Sequence, residues 1–122
     1  MSPTEHYYRA SRYAFIAFLA AGALVGAVFF TRGPDGQVHL VEWATLLRDI
    51  GLSTAVAHFF LWAVAIVFMG CCGGVTAWAF CRCVPALCPR CGGAAYWRAE
   101  GIWAYRCRGC GHLHETGLGG EG

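Results

Sequence analysis

The chain alternates between long stretches without charge and short polar ones. From Tyr13 to Thr31 no charged side chain interrupts YAFIAFLAAGALVGAVFFT. Wound as a helix, this run reaches about 28 Å at roughly 1.5 Å per residue, close to the ~30 Å of a bilayer's hydrocarbon core. A cleaved signal peptide is the alternative, with Val25-Gly26-Ala27 as the processing site, but apolar residues continue through Phe30 and favour a retained span. Arg32-Gly33-Pro34-Asp35-Gly36 then breaks the helix. In the following QVHLVEWATLLRDIG, Leu40, Trp43, Ala44, Leu47 and Ile50 recur at helical spacing. That stripe predicts a short amphipathic helix lying on the membrane surface or against a partner's loop. A second uncharged run, Gly51 to Phe80, exceeds what a perpendicular span needs. Ser53 can cap its start, and Trp78 and Phe80 before Arg82 resemble an interfacial belt, which puts the lipid-embedded part at about Ala57 to Trp78. Gly70-Cys71-Cys72-Gly73-Gly74 is a candidate kink or contact patch near its inner end.

Beyond Pro85 the period changes from helical to alternating. Ala95 and Trp97 share one strand face, and Trp103, Tyr105 and Cys107 the matching face of the next. A three-residue turn at Ala99-Glu100-Gly101 would oppose Trp97 to Trp103 and Ala95 to Tyr105. The opposite face carries Tyr96, Arg98, Ile102, Ala104 and Arg106. Cys88-Pro89-Arg90-Cys91 and Cys107-Arg108-Gly109-Cys110 flank this hairpin, each followed by glycine (Gly92, Gly111) that can take positive φ. Two such pairs at this separation supply the four thiolates of a Zn²⁺ tetrahedron.

Knuckle, hairpin, knuckle and final strand together resemble the zinc-ribbon family, over the last quarter of the chain only. The resemblance implies metal binding and says little about what the domain contacts. The first knuckle also resembles that of rubredoxins, which hold iron, but their pairs lie further apart and their surface is acidic. A c-type haem needs histidine directly after the second cysteine, and here Gly111 intervenes before His112. His112 and His114 read as the two faces of a last short strand.

The expected fold is therefore a membrane protein: an α-helical hairpin of two transmembrane helices plus a small C-terminal β zinc ribbon. Its segments are an N-terminal cytoplasmic stretch 1–12, spans at 13–31 and 53–80, an extracytoplasmic loop 32–52, a linker 81–87, the ribbon 88–116 and a disordered tail 117–122. Composition agrees. A 122-residue chain that is 57% hydrophobic and 13% charged, with mean hydropathy +0.48, has too little interior to hide its apolar surface from water. All nine cations are arginine, and the net charge of +2 is too small to imply a nucleic-acid partner by itself. Arg9 and Arg12 precede the first span, Arg82 and Arg90 follow the second, and only Arg32 and Arg48 lie between. The positive-inside rule then puts both termini in the cytoplasm, with a cell inner membrane as the location. Reduced thiolates persist there too.

Four further features invite a role. His58, inside the second run, reads either as a haem ligand or proton carrier or as an interfacial, backbone-bonded histidine. Cys71 and Cys72 read as small apolar packers, while Cys81 and Cys83, flanking Arg82, are candidates for acylation or a second metal. Gly22 and Gly26 in the first span, and Gly70 and Gly74 in the second, are spaced for close helix packing. One such face suffices for the two spans to meet; the other implies a second copy or another membrane subunit.

No nucleophile–base pair or phosphate loop occurs, and four sulfurs close the metal shell, so the chain reads as non-enzymatic. The leading expectation is a small accessory or assembly subunit of a larger membrane complex, in contact with lipid and other subunits. A membrane-tethered nucleic-acid-binding or regulatory ribbon using Tyr96, Arg98 and Arg106 is the alternative, and a thiol redox or metal-handling protein a third reading.

Overall fold

The computed structural model describes residues 1–98 and 104–115. Its elements are α1 (Pro3–Phe30), α2 (His39–Asp49), α3 (Thr54–Cys83), β1 (Ala86–Leu87), β2 (Ala94–Arg98), β3 (Ala104–Cys107) and β4 (Leu113–Glu115). Contacts group the chain into two compact units: Met1–Ala14 with Gly74–Gly122, and Phe15–Gly73.

α1 starts ten residues before the uncharged run does. Ser2 Oγ accepts the Glu5 N–H at 3.2 Å, and Pro3 occupies the first helical position, where its missing N–H has no intrahelical partner to lose. Segment 3–12, expected as a polar lead-in, is thus the first turns of one 28-residue helix. α3 likewise begins on a side-chain cap, with Ser53 Oγ accepting the Val56 N–H at 3.3 Å. It runs unbroken for 30 residues, straight through the 70–74 glycine patch. Both helices are long and apolar enough to cross a membrane, yet only 11% of the most apolar window of each is buried. Phe59 and Val67, 76% and 65% exposed, are typical of the outward side chains.

In the 15–73 unit, α2 turns its stripe inward. Leu40 and Ala44 are buried, and Leu40 joins Phe29 and Ala65 in a small core edged by Val25, Trp43 and Leu61. Phe29 packs edge-on against both Trp43 and Trp62, with ring centroids 5.6 and 5.5 Å apart. The amphipathic face expected to rest on a membrane or a partner is thus partly used inside this chain. Ile50, at the end of the stripe, remains 76% exposed.

In the other unit the four strands form an antiparallel meander in the order β1-β2-β3-β4. Trp97 faces Tyr105 and Ala95 faces Cys107, not Trp103 and Tyr105 as the alternation suggested. The true register differs by two residues, which keeps the described strand side chains on their expected faces. Arg98 pairs with Ala104, so the connection spans 99–103; the expected turn at Ala99-Glu100-Gly101 and the residue Trp103 lie outside the described residues, as does the tail 117–122. Ala86, Cys88, Ala95, Tyr105 and Cys107 make the ribbon's core, with Trp97 against them.

Candidate metal centre

The two knuckles are built alike. In the first, the Cys88 N–H donates to Gly93 O at 2.8 Å and the Gly92 N–H to Cys88 O at 2.9 Å. In the second, the Cys107 N–H donates to His112 O at 3.0 Å and the Gly111 N–H to Cys107 O at 3.2 Å. Each loop thereby curls back on its first cysteine. Gly92 and Gly111 make this possible with φ of 70° and 71°, a region closed to most side chains.

The curl brings the thiols of Cys88, Cys91, Cys107 and Cys110 within 4.8 Å of one another. Cys88 Sγ lies 3.7 Å from Cys110 Sγ, and Cys91 Sγ 3.4 Å from Cys107 Sγ. A tetrahedral ion with bonds of about 2.3 Å to sulfur needs sulfurs about 3.8 Å apart. The cluster therefore fits a tetrathiolate site within a few tenths of an ångström on these edges. Backbone N–H groups already favour negative charge there: Gly93 donates to Cys91 Sγ at 3.4 Å and Gly109 to Cys107 Sγ at 3.3 Å. A side chain at Gly93 would crowd the same sulfurs, since its Cβ would stand 3.2 Å from Cys91 Sγ.

Ionisation of the quartet is uneven. The Cys110 N–H, helped by the Cys91 sulfur and the Gly109 N–H, outweighs burial and holds the Cys107 thiol down at about 6. At Cys91 the Gly93 N–H favours the thiolate, but the sulfurs of Cys107, Cys110 and Cys88 override it and push the thiol up to about 11. The Cys107 thiolate forms readily and Cys91 resists joining it. A bound cation removes that conflict, because it attracts all four charges at once. Among the described residues no histidine or carboxylate joins the group. Four thiolates would fill the tetrahedral shell of an ion held there.

Behind the sulfurs lies a polar pair that the sequence did not announce. His6, fully buried, has Nδ1 2.9 Å from the Tyr105 hydroxyl and Nε2 2.6 Å from the Val84 carbonyl oxygen. Its ring also packs 4.8 Å from Phe80, and the Leu87 N–H donates to Met1 O at 2.7 Å. The start of α1 is thus bound onto β1, β3 and the end of α3. Ser2-Pro3-Thr4-Glu5 was the available signal: a capping serine, proline at the first position and glutamate at the third mark a helix start. Continuing that helix puts Pro3, His6 and Ala10 on one stripe, and all three are buried.

The remaining candidates are dispersed. His58 Nδ1 lies 2.9 Å from the Thr54 carbonyl oxygen one turn back in its own helix, the backbone-bonded arrangement. Cys71 and Cys83 are exposed, and Cys72 and Cys81 half-buried. Cys81 neighbours the Tyr105 hydroxyl, whose own proton burial and Cys81 hold more tightly than usual. A Cβ at Gly22 would stand 2.7 Å from Met69 Cε, so Gly22 is where α1 approaches α3. Among the described residues, nothing stands within 4 Å of that position at Gly26, Gly70 or Gly74. Compared with known protein families, curated proteins and solved structures, the chain matches none.

Proposed function

We propose that the chain is a membrane-anchored zinc ribbon serving as a small, non-catalytic accessory or assembly subunit of a larger membrane complex. Zinc is the favoured metal because four thiolates in a near-tetrahedral set, without an open position, suit an ion that has no geometric preference of its own. α1 and α3 cross the membrane as a hairpin, with both termini in the cytoplasm of a cell inner membrane; the arginine distribution and the need for reduced thiols support this orientation.

The observation that carries the subunit reading is the helix surface left over after internal packing. A Cβ at Gly22 would meet Met69, whereas one at Gly26, Gly70 or Gly74 would meet no atom within 4 Å among the described residues. In lipid, helices associate through close backbone approach rather than hydrophobic drive, so such surfaces suit a neighbouring span. Gentle extraction from the native membrane, followed by identification of what accompanies the chain, tests it. A reproducible integral-membrane partner supports the reading, and a chain that purifies alone contradicts it.

The second reading, a tethered nucleic-acid binder, draws on the basic strand face, where the Arg108 guanidinium sits 4.6 Å from the Tyr96 ring centre beside Arg98 and Arg106. Salt-resistant binding of an oligonucleotide that is lost on Arg98→Ala with Arg106→Ala would favour it.

A further inference from the structure

The N-terminal segment touches both knuckles just ahead of their first cysteines. The Leu87 N–H, next to Cys88, donates to Met1 O at 2.7 Å. The Tyr105 hydroxyl, two residues before Cys107, lies 2.9 Å from His6 Nδ1. β1 leads directly into Cys88, and Cys107 is the last residue of β3. The strands that position one thiol of each knuckle thus also hold the start of α1. Pro3, His6 and Ala10 are buried along one side of that start, whereas Tyr8 on another side is 60% exposed. Tyr13 continues the contact, its ring centre 5.2 Å from that of Phe80 near the end of α3.

Each side of this contact lacks the means to hold its shape alone. The ribbon's strands are two to five residues long, and two of its five core residues are cysteines. A sheet so small does not stand on burial, and ligation by the four thiols supplies folding free energy to it. The start of α1 has the opposite need. If β1 and β3 lose their places, Met1 O loses the Leu87 N–H and His6 keeps only the Val84 carbonyl. A helix end stripped of tertiary partners opens locally, because its first N–H groups have no acceptors within the helix. Two interactions that hold the same two strands must stabilise each other, and by the same factor in both directions.

We infer that residues 1–10 form a latch coupled to the metal site: the seated latch tightens the four-thiol site, and the occupied site keeps the latch seated. The inference rests on the reading of Cys88, Cys91, Cys107 and Cys110 as metal ligands. His6 is the pin of the latch, since it bonds β3 through Tyr105 and the segment before β1 through Val84. The loaded state of the ribbon is thereby expressed at the other end of the chain, in the turns that lead into the first uncharged run.

The test uses the full chain in detergent, either zinc-loaded or stripped by a chelator with a reductant present, and reads amide hydrogen exchange. Residues 6–12 should exchange about tenfold faster, or more, once the metal is removed, while residues 60–70 of the other unit should not change. Conversely, His6→Ala should lower the chelator concentration that strips half the zinc by about fivefold or more, and Tyr8→Ala, on the exposed side of the same turns, should leave it unchanged. Equal exchange at residues 6–12 with and without metal would overturn the latch and leave zinc binding intact. So would a His6→Ala chain that holds zinc as tightly as the wild type, or exchange that rises equally in residues 60–70, which would mark a global loss. If His6→Ala does not fold, exchange in the wild type decides alone. A chain that takes up no metal overturns the metal reading and the latch with it.

Discussion

The His6 ring and the Tyr105 hydroxyl, 99 residues apart in the chain, meet at 2.9 Å in the interior. The pairing also fixes the proton. Val84 O can only accept, so Nε2 carries the hydrogen and Nδ1 takes the Tyr105 O–H. Neutral imidazole is then satisfied at both nitrogens, and the N-terminal helix is tied to the strand that carries Cys107.

Removing the hydroxyl tests this tie. Tyr105→Phe leaves Nδ1 buried without a donor, which costs about 1–3 kcal/mol. The thermal midpoint of metal release into a chromophoric chelator should fall, with the amount of metal bound per chain unchanged. An unchanged midpoint would mean that the bond contributes nothing to the ribbon.

The same histidine predicts an acid dependence. Burial holds its pKa below the ordinary 6.5; the Val84 carbonyl opposes this and the N-terminal ammonium adds to it. The unfolded chain therefore takes a proton first as pH falls below about 6.5, and the stability due to neutral His6 declines from there to the folded pKa. Thiolate protonation also weakens the ribbon in acid, so the comparison is with His6→Gln. Between pH 7.5 and 5.5 the wild type should lose more unfolding temperature than the variant; parallel losses would contradict the assignment.

Two glycines four residues apart should behave differently. Gly22→Ile drives a branched side chain into the Met69 terminus; that flexible end can swing partly aside, so the cost falls at the low end of overpacking, about 1 kcal/mol. Gly26→Ile meets open space, so the isolated chain should unfold as the wild type does while its co-purification with a partner falls. Destabilisation by Gly26→Ile would show that this face is used internally, and undiminished co-purification would show that it faces only lipid.

Orientation is checked on intact cells with a membrane-impermeant thiol reagent. Gln37→Cys should be labelled and the ribbon cysteines of the parent chain should not. Labelling of the ribbon from outside would invert the topology.

The features legible in the sequence were those that local chemistry dictates. Paired cysteines followed by glycine specify a knuckle because the turn itself needs them, and uncharged runs of span length specify long helices. The strand faces were legible for the same reason, as period-two alternation does not depend on loop length. Pairing does depend on it, so Trp97 was matched with Trp103 instead of Tyr105. α2 was ambiguous because an apolar stripe reads alike whether lipid, a partner or Phe29 covers it. His6 was missed as a partner of the ribbon because nothing local connects residue 6 with residue 105. Only folding of the whole unit brings together the polar N-terminus, the end of α3 and β3.

The metal held by the four thiols is the central point to measure. Elemental analysis of the full chain, purified in detergent without added metal, should find zinc at about one per chain, and replacement of Cys107 and Cys110 by serine should abolish it. Iron in place of zinc, or zinc retained after both substitutions, would contradict a four-sulfur ribbon at Cys88, Cys91, Cys107 and Cys110.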